Sequence, residues 1–385
     1  MKVKFGMTSI AIFMIAYIAH GQNITFPHDG LDRQYQIHIP EELPESPALV
    51  LVLHGYSMNN SQMRSYFGWT KLADERGFVV AFPNGTIDKW NNHFWDVNYP
   101  IHKGIEIDDD GFLRELVIHL QKIHGLNPNS TFVTGFSNGG DMSYQLACRE
   151  SETFTAFAPV AGTMMDSLYT DCNPVAPHPI LLVHGSDDPI VLFEGDMNNT
   201  TGWGPYRSIP EIVGFWENFL ETTEMERTFL VDIDPNDGST VRLDTYSSTQ
   251  HDRELWYYLI MGGGHDWPGL TGNNDINATL EIWNFFDLLS ADVCNEADLD
   301  DDGEVSINDV LIVISAWGDP YGVNDILMVI NNWGLECTLP NGACCRTDAT
   351  CIYIQSNECE DIGGQWYGPL SSCTTVSCPS CDFCP

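Results

Sequence analysis

One serine stands between two glycines in the run TFVTGFSNGGDMSYQLA, residues 131 to 147. Gly135-Phe136-Ser137-Asn138-Gly139 fits G-x-S-x-G, the sharp strand-to-helix turn that lifts a serine hydroxyl above a sheet. Glycines are needed there because the backbone is strained and neighbouring segments approach closely. The bland alternative is a turn capped by a serine. A serine hydroxyl becomes a nucleophile only when a base takes its proton, and the base needs an orienting carboxylate.

Both partners are present in a suitable order. Asp187 and Asp188 follow the apolar run Ile180 to Val183, and His265 lies in GGGHDWPG after the strand-like run ELWYYLIM. The chain order serine, acid, histidine is the one that this kind of sheet uses. An anionic intermediate also needs backbone N–H donors near the serine. Asn138, directly after it, supplies one, and the turn LHGY after the first apolar strand supplies the other at Tyr56. His54 and His184 end strands beside Gly55 and Gly185 and read as packing residues of those turns. His93 and His102 have at most structural roles. Trp90, Trp95, Trp203 and Trp267 lie in loops near the expected mouth, where flat rings could hold a sugar or a phenolic acyl group, with core packing as the alternative for each.

The elements that must position these groups alternate in type. The runs ALVLVLHG (48–55), FVVAFPNG (78–85), STFVTGFS (130–137) and PILLVHGSDD (179–188) read as buried strands ending in turn residues. Between them lie amphipathic stretches such as 112–124, with Leu113, Leu116, Val117, Leu120 and Ile123 on one face. Strands alternating with helices predict an α/β fold with a mainly parallel sheet covered on both faces. Ligands bind such sheets at the carboxyl ends of the strands, where all four runs place their polar residues.

The ordered set LHGY, FPNGTIDKWN, DDDGFLREL, GFSNGG, HGSDDPIV and GGGHDWPG resembles the secreted polyhydroxybutyrate-depolymerase-like and feruloyl esterases of the α/β-hydrolase fold, over roughly residues 30 to 287. The resemblance implies a Ser137–His265–Asp188 triad, because the family's acid is the fifth residue of H-G-x-x-D. Asp187 stands where the family usually has a small residue, so a rival carboxylate adjoins the expected one. The resemblance also implies that catalysis needs no cofactor.

Outside this region the chain changes character. Residues 1–21 read as a signal peptide: Lys2 and Lys4 precede an apolar run, and Ala19-His20-Gly21 offers a cleavage site. No later run approaches the roughly 18 apolar residues that span a bilayer. The formal net charge of −38 argues against nucleic acid or an anionic membrane as partner. There are twelve cysteines, most of them in the last segment, which fits an oxidising extracellular, periplasmic or cell-surface location. Cys148 and Cys172 pair most simply as a disulfide.

Residues 22–292 form the expected catalytic domain, 293–337 a helical module and 338–385 a cysteine-rich module held by disulfides. Within DLDDDGEVSIND, the residues Asp298, Asp300, Asp302, Glu304, Ser306 and Asp309 fall at positions 1, 3, 5, 7, 9 and 12 of a calcium loop, with Gly303 at the turn. A short duplication follows, VSINDVLIVISAWG and YGVNDILMVINNWG, and the segment resembles a type I dockerin whose second copy lacks the acidic loop. That resemblance implies structural calcium and a cohesin or cell-surface partner. Cys378, Cys381 and Cys384 have zinc-like spacing, but without nearby histidine disulfides are the better reading.

These features predict a secreted serine esterase acting on ester-bearing polymers: feruloyl or acetyl esters of polysaccharide, or a polyhydroxyalkanoate. The alternatives are a serine peptidase of the same fold and a non-catalytic polymer-binding protein.

Overall fold

The six most apolar strand segments lie side by side and point the same way. In the computed structural model, which describes residues 21–44, 46–248 and 253–297 together with 312, 341–345, 351–355 and 365–366, the strands are β1 (Ile24–His28), β2 (Leu31–His38), β3 (Leu49–Leu53), β4 (Val79–Pro83), β5 (Thr86–Ile87), β6 (His93–Phe94), β7 (Thr131–Phe136), β8 (Ala156–Val160), β9 (Ile180–Gly185), β10 (Glu224–Phe229), β11 (Thr240–Ser247) and β12 (Leu255–Met261). Ten of them form one sheet in the order β1-β2-β4-β3-β7-β8-β9-β12-β11-β10, and β5 pairs with β6 as a separate ribbon. Pairing is parallel from β4 through β12 and antiparallel at both edges.

Successive side chains of a strand face opposite sides, so a strand buried on both sides is apolar throughout. In β3, Leu49, Leu51 and Leu53 enter one core cluster and Val50 and Val52 enter the other. The first cluster includes α3 (Asp109–His124), α4 (Asn138–Arg149) and α6 (Ile209–Leu220); the second includes α2 (Trp69–Arg76) and α7 (Ala278–Ala297). Short helices α1 (Asn60–Tyr66) and α5 (Asp166–Asp171) complete the set. Leu113, Leu116, Val117 and Leu120 of α3 are buried as their spacing predicts, but Ile123, in the last turn of the helix, is exposed. Helix α7 runs to Ala297 and so crosses residue 292 without a break.

The Cys148–Cys172 disulfide is present and joins the end of α4 to the C-terminal end of α5. In the tail, β13 (Asn341–Cys345), β14 (Cys351–Gln355) and β15 (Gln365–Trp366) form a small antiparallel sheet. Residues 1–20 of the expected signal peptide and the expected calcium ligands Asp298, Asp300, Asp302, Glu304, Ser306 and Asp309 lie outside the described residues, as do Cys378, Cys381 and Cys384. Among the described residues no helix is long and apolar enough to cross a membrane.

Candidate active site

Ser137 sits at the tip of the turn between β7 and α4 with φ 55° and ψ −119°, a left-handed backbone that a serine adopts only under constraint. Close packing around it supplies that constraint. A Cβ at Gly135 would lie 2.2 Å from the Gly139 carbonyl oxygen, and one at Gly139 would lie 2.4 Å from the Leu53 oxygen. The Ser137 N–H donates to the Val160 carbonyl at 2.9 Å, tying the turn to β8.

The acid and the histidine arrive on the ends of adjacent strands. Gly185, closing β9, packs so tightly against the loop after β12 that a Cβ there would meet the Gly263 oxygen at 2.3 Å. The Asp187 N–H donates to that same oxygen at 2.9 Å. With the two loops pinned together, His265 Nδ1 lies 2.7 Å from Asp188 Oδ2 and His265 Nε2 lies 2.9 Å from Ser137 Oγ. Asp188 Oδ1 accepts the Ile190 and Val191 N–H groups at 2.8 and 2.9 Å, and its side chain is fully buried. Asp188 Oδ2 and Ser137 Oγ thus face opposite nitrogens of one imidazole, Nδ1 and Nε2.

The rival carboxylate is elsewhere. Asp187 is exposed and accepts a hydrogen bond from Ser186 Oγ at 2.9 Å. His184 stands behind the relay, with Nε2 3.0 Å from the Val191 oxygen and 3.7 Å from Asp188 Oδ2.

Tyr56 lines the same cavity as Ser137, and Asn138 follows the serine in the chain. The Asn138 side chain is fully buried: Oδ1 accepts the Trp95 N–H at 2.8 Å and Nδ2 donates to the Trp95 carbonyl at 3.1 Å. The Trp95 indole N–H in turn donates to the His54 carbonyl at 2.9 Å, so the serine turn and the β3 turn are held by one residue. The Tyr56 hydroxyl donates to Asp88 Oδ2 at 2.7 Å and accepts from Asn92 Nδ2 at 2.9 Å. His54 is more than packing. Its Nε2 accepts the Gly85 N–H at 2.9 Å and its Nδ1 lies 2.8 Å from the Gly55 oxygen; burial pulls the imidazole down to about 3, so it is neutral.

A cavity of about 220 Å³ opens onto Ser137 and His265. The four tryptophans separate there. Trp203 lines the cavity between Tyr56 and Tyr99, with ring centroids 5.5 and 5.3 Å away, whereas Trp95 and Trp267 are buried in the core and Trp90 is 52% exposed. Trp90 rides on the β5–β6 ribbon, whose tip is organised by Asp88 Oδ1 accepting the Trp90 and Asn92 N–H groups at 2.8 and 3.0 Å.

Sequence reasoning missed Asp141, Tyr99, Thr163 and Tyr206, which also line the cavity. Asp141 follows Ser137 by four residues at the start of a helix, a spacing that puts the two on one face and could have revealed it. No group of three or more His, Cys, Asp or Glu among the described residues is arranged to hold a metal ion.

No family model matches the chain. It is 27% identical over 253 residues to a putative esterase, NocK, of Nocardia uniformis subsp. tsuyamanensis, covering 63% of this chain and 72% of that protein. Similarity to a probable feruloyl esterase C of Aspergillus oryzae is 27% over 176 residues, 44% of this chain and 59% of that one. Similarity to a poly(3-hydroxybutyrate) depolymerase of Ralstonia pickettii is 31% over 139 residues, 32% of this chain and 28% of that one. The chain thus spans less than two thirds of the latter two relatives. With the similarity falling consistently on esterases, the chain is a carboxylic ester hydrolase.

Proposed function

We propose that the chain hydrolyses carboxylic esters of a polymer through a covalent acyl-enzyme on Ser137, with His265 as base and acid and Asp188 as its orienting partner. The observation that carries this reading is the unbroken chain of hydrogen bonds from Ser137 Oγ through His265 to Asp188, at the mouth of the cavity. His265 Nε2 takes the hydroxyl proton as Ser137 Oγ attacks the ester carbonyl. The resulting oxyanion is held by the backbone N–H groups of Tyr56 and Asn138. The same proton then passes to the leaving alkoxide, the C–O bond breaks, and the alcohol departs. Water repeats the sequence on the acyl-enzyme: His265 takes its proton, the acid leaves, and Ser137 recovers its hydrogen.

The substrates in view are feruloyl or acetyl esters on polysaccharide, and next a polyhydroxyalkanoate. The names of the relatives support these classes. The disulfide fits export to an oxidising compartment. A calcium ion held by Asp298, Asp300, Asp302, Glu304, Ser306 and Asp309, oxygen donors at positions 1, 3, 5, 7, 9 and 12 of the loop, is part of the same reading and would order a dockerin-like module. Calcium titration of the full chain tests it, with one ion bound per chain expected and none contradicting it.

Hydrolysis of methyl ferulate, acetylated xylan and hydroxybutyrate oligomers, with Ser137→Ala as the blank, tests the activity. Turnover of at least one ester, abolished in the blank, is expected. Cleavage of unmodified peptides instead would favour the peptidase reading.

A further inference from the structure

A carboxyl group sits in the cavity wall without a place in the relay. Asp141 lies on the first turn of α4, one helical turn beyond Ser137, and is 2% exposed. Its Oδ2 accepts the Tyr99 hydroxyl at 2.5 Å and its Oδ1 accepts the Thr163 N–H at 2.7 Å. A carboxylate has about four lone-pair positions, so these two donors leave roughly half of its accepting capacity unused. Among the described residues no lysine or arginine lines the cavity.

Burying a carboxyl with two neutral donors and no cation is costly. If the side chain served only to tie α4 to its neighbours, a neutral group would avoid that cost. The rest of the wall is largely apolar: Met58, Phe136, Met165, Ile190, Val191 and Trp203. A bound acyl chain would therefore meet oily surface everywhere except at the corner formed by Asp141 and the tyrosines.

We propose that Asp141 is a specificity-determining residue that accepts a hydrogen bond from a hydroxyl carried by the acyl chain, so that the preferred acid is a hydroxylated one. The assignment rests on the reading of Ser137 as the nucleophile that opens this cavity to an acyl group. A pocket built to hydrogen-bond a substrate hydroxyl discriminates strongly against the analogue that lacks it, because its own polar group is left unpaired. Two sources of hydroxyl fit this chemistry, an aliphatic 3-hydroxyacyl chain and a phenolic cinnamoyl group.

The test measures kcat/KM on two matched pairs of nitrophenyl esters, butyrate against 3-hydroxybutyrate and cinnamate against 4-hydroxycinnamate. The unmodified protein should favour the hydroxylated member of at least one pair by about tenfold, and the pair that shows the preference identifies the source. Asp141→Asn has one acceptor oxygen for two internal donors, and the ratio should fall by at least about fivefold, toward one. Tyr99→Phe, which keeps the carboxylate, should retain the preference. Hydrolysis of all four esters with ratios near one overturns the role of Asp141 alone, and so does an unaltered ratio in Asp141→Asn. Hydrolysis of none of the four overturns the esterase reading beneath it. Ratios near one in the unmodified protein overturn the assignment even if the asparagine variant fails to fold.

Discussion

Nε2 of His54 accepts the Gly85 N–H at 2.9 Å, which leaves the proton on Nδ1, 2.8 Å from the carbonyl oxygen of Gly55. The peptide that carries this carbonyl also carries the Tyr56 N–H. In a trans peptide the two point in opposite directions, so fixing the carbonyl on His54 aims the N–H away from it. A histidine read from sequence as filler thereby orients the proposed oxyanion donor.

His54→Ala should therefore lower kcat by roughly tenfold to a hundredfold on a small nitrophenyl ester, with a smaller change in KM, as expected for a donor used mainly in the transition state. Steady-state kinetics on protein shown to be folded by circular dichroism check this. An effect confined to KM would mean that the turn serves binding rather than oxyanion stabilisation.

Two adjacent carboxylates compete for the role of acid, and they differ in burial. Asp188 is fully buried against His265, while Asp187 is exposed and bonded to Ser186. Asp188→Asn should reduce kcat by about 10³-fold or more, by favouring the wrong histidine tautomer, whereas Asp187→Asn should stay within about threefold of the unmodified protein. Comparing the two variants on one ester is sufficient, and a larger loss in Asp187→Asn would reverse the assignment.

Burial pushes the Asp141 carboxyl up to about 7, against the hydrogen bonds from Tyr99 and Thr163 that pull it down. Between its ordinary value near 4 and about 7, the unfolded chain has lost this proton and the folded chain keeps it. The group's contribution to stability is thus intact below pH 4 and lost as pH rises through 7. Asp141→Asn cannot ionise, so its melting temperature relative to the unmodified protein should rise between pH 4 and pH 8. Thermal melts across that range check the sign; a difference independent of pH would show that Asp141 ionises normally in the fold.

The parallel centre of the sheet was legible because β3 is apolar throughout, β7 and β9 contain short apolar runs, and all three lead into turn residues. Strand β8 was not, since AFAPV is short and contains Pro159, a residue that argues against a central strand yet pairs there with Gly135. The order of Ser137, Asp188 and His265 could be read from the chain, but the choice between Asp187 and Asp188 depends on which side of the turn each faces. That is a property of the Gly185–Gly263 contact, made by residues 78 positions apart, and composition carries no trace of it. The tryptophans show the same limit. Trp95 and Trp267 are core while Trp203 is wall, although all three sit in similar polar loops.

The central claim is that Ser137 becomes acylated during turnover. Incubating the protein with a slowly deacylating nitrophenyl ester, quenching in acid and mapping peptides by mass spectrometry tests it most directly. One acyl group per chain is expected, on the peptide that contains Ser137, and none in Ser137→Ala or His265→Ala. An adduct on another residue, or full turnover by Ser137→Ala, would contradict it.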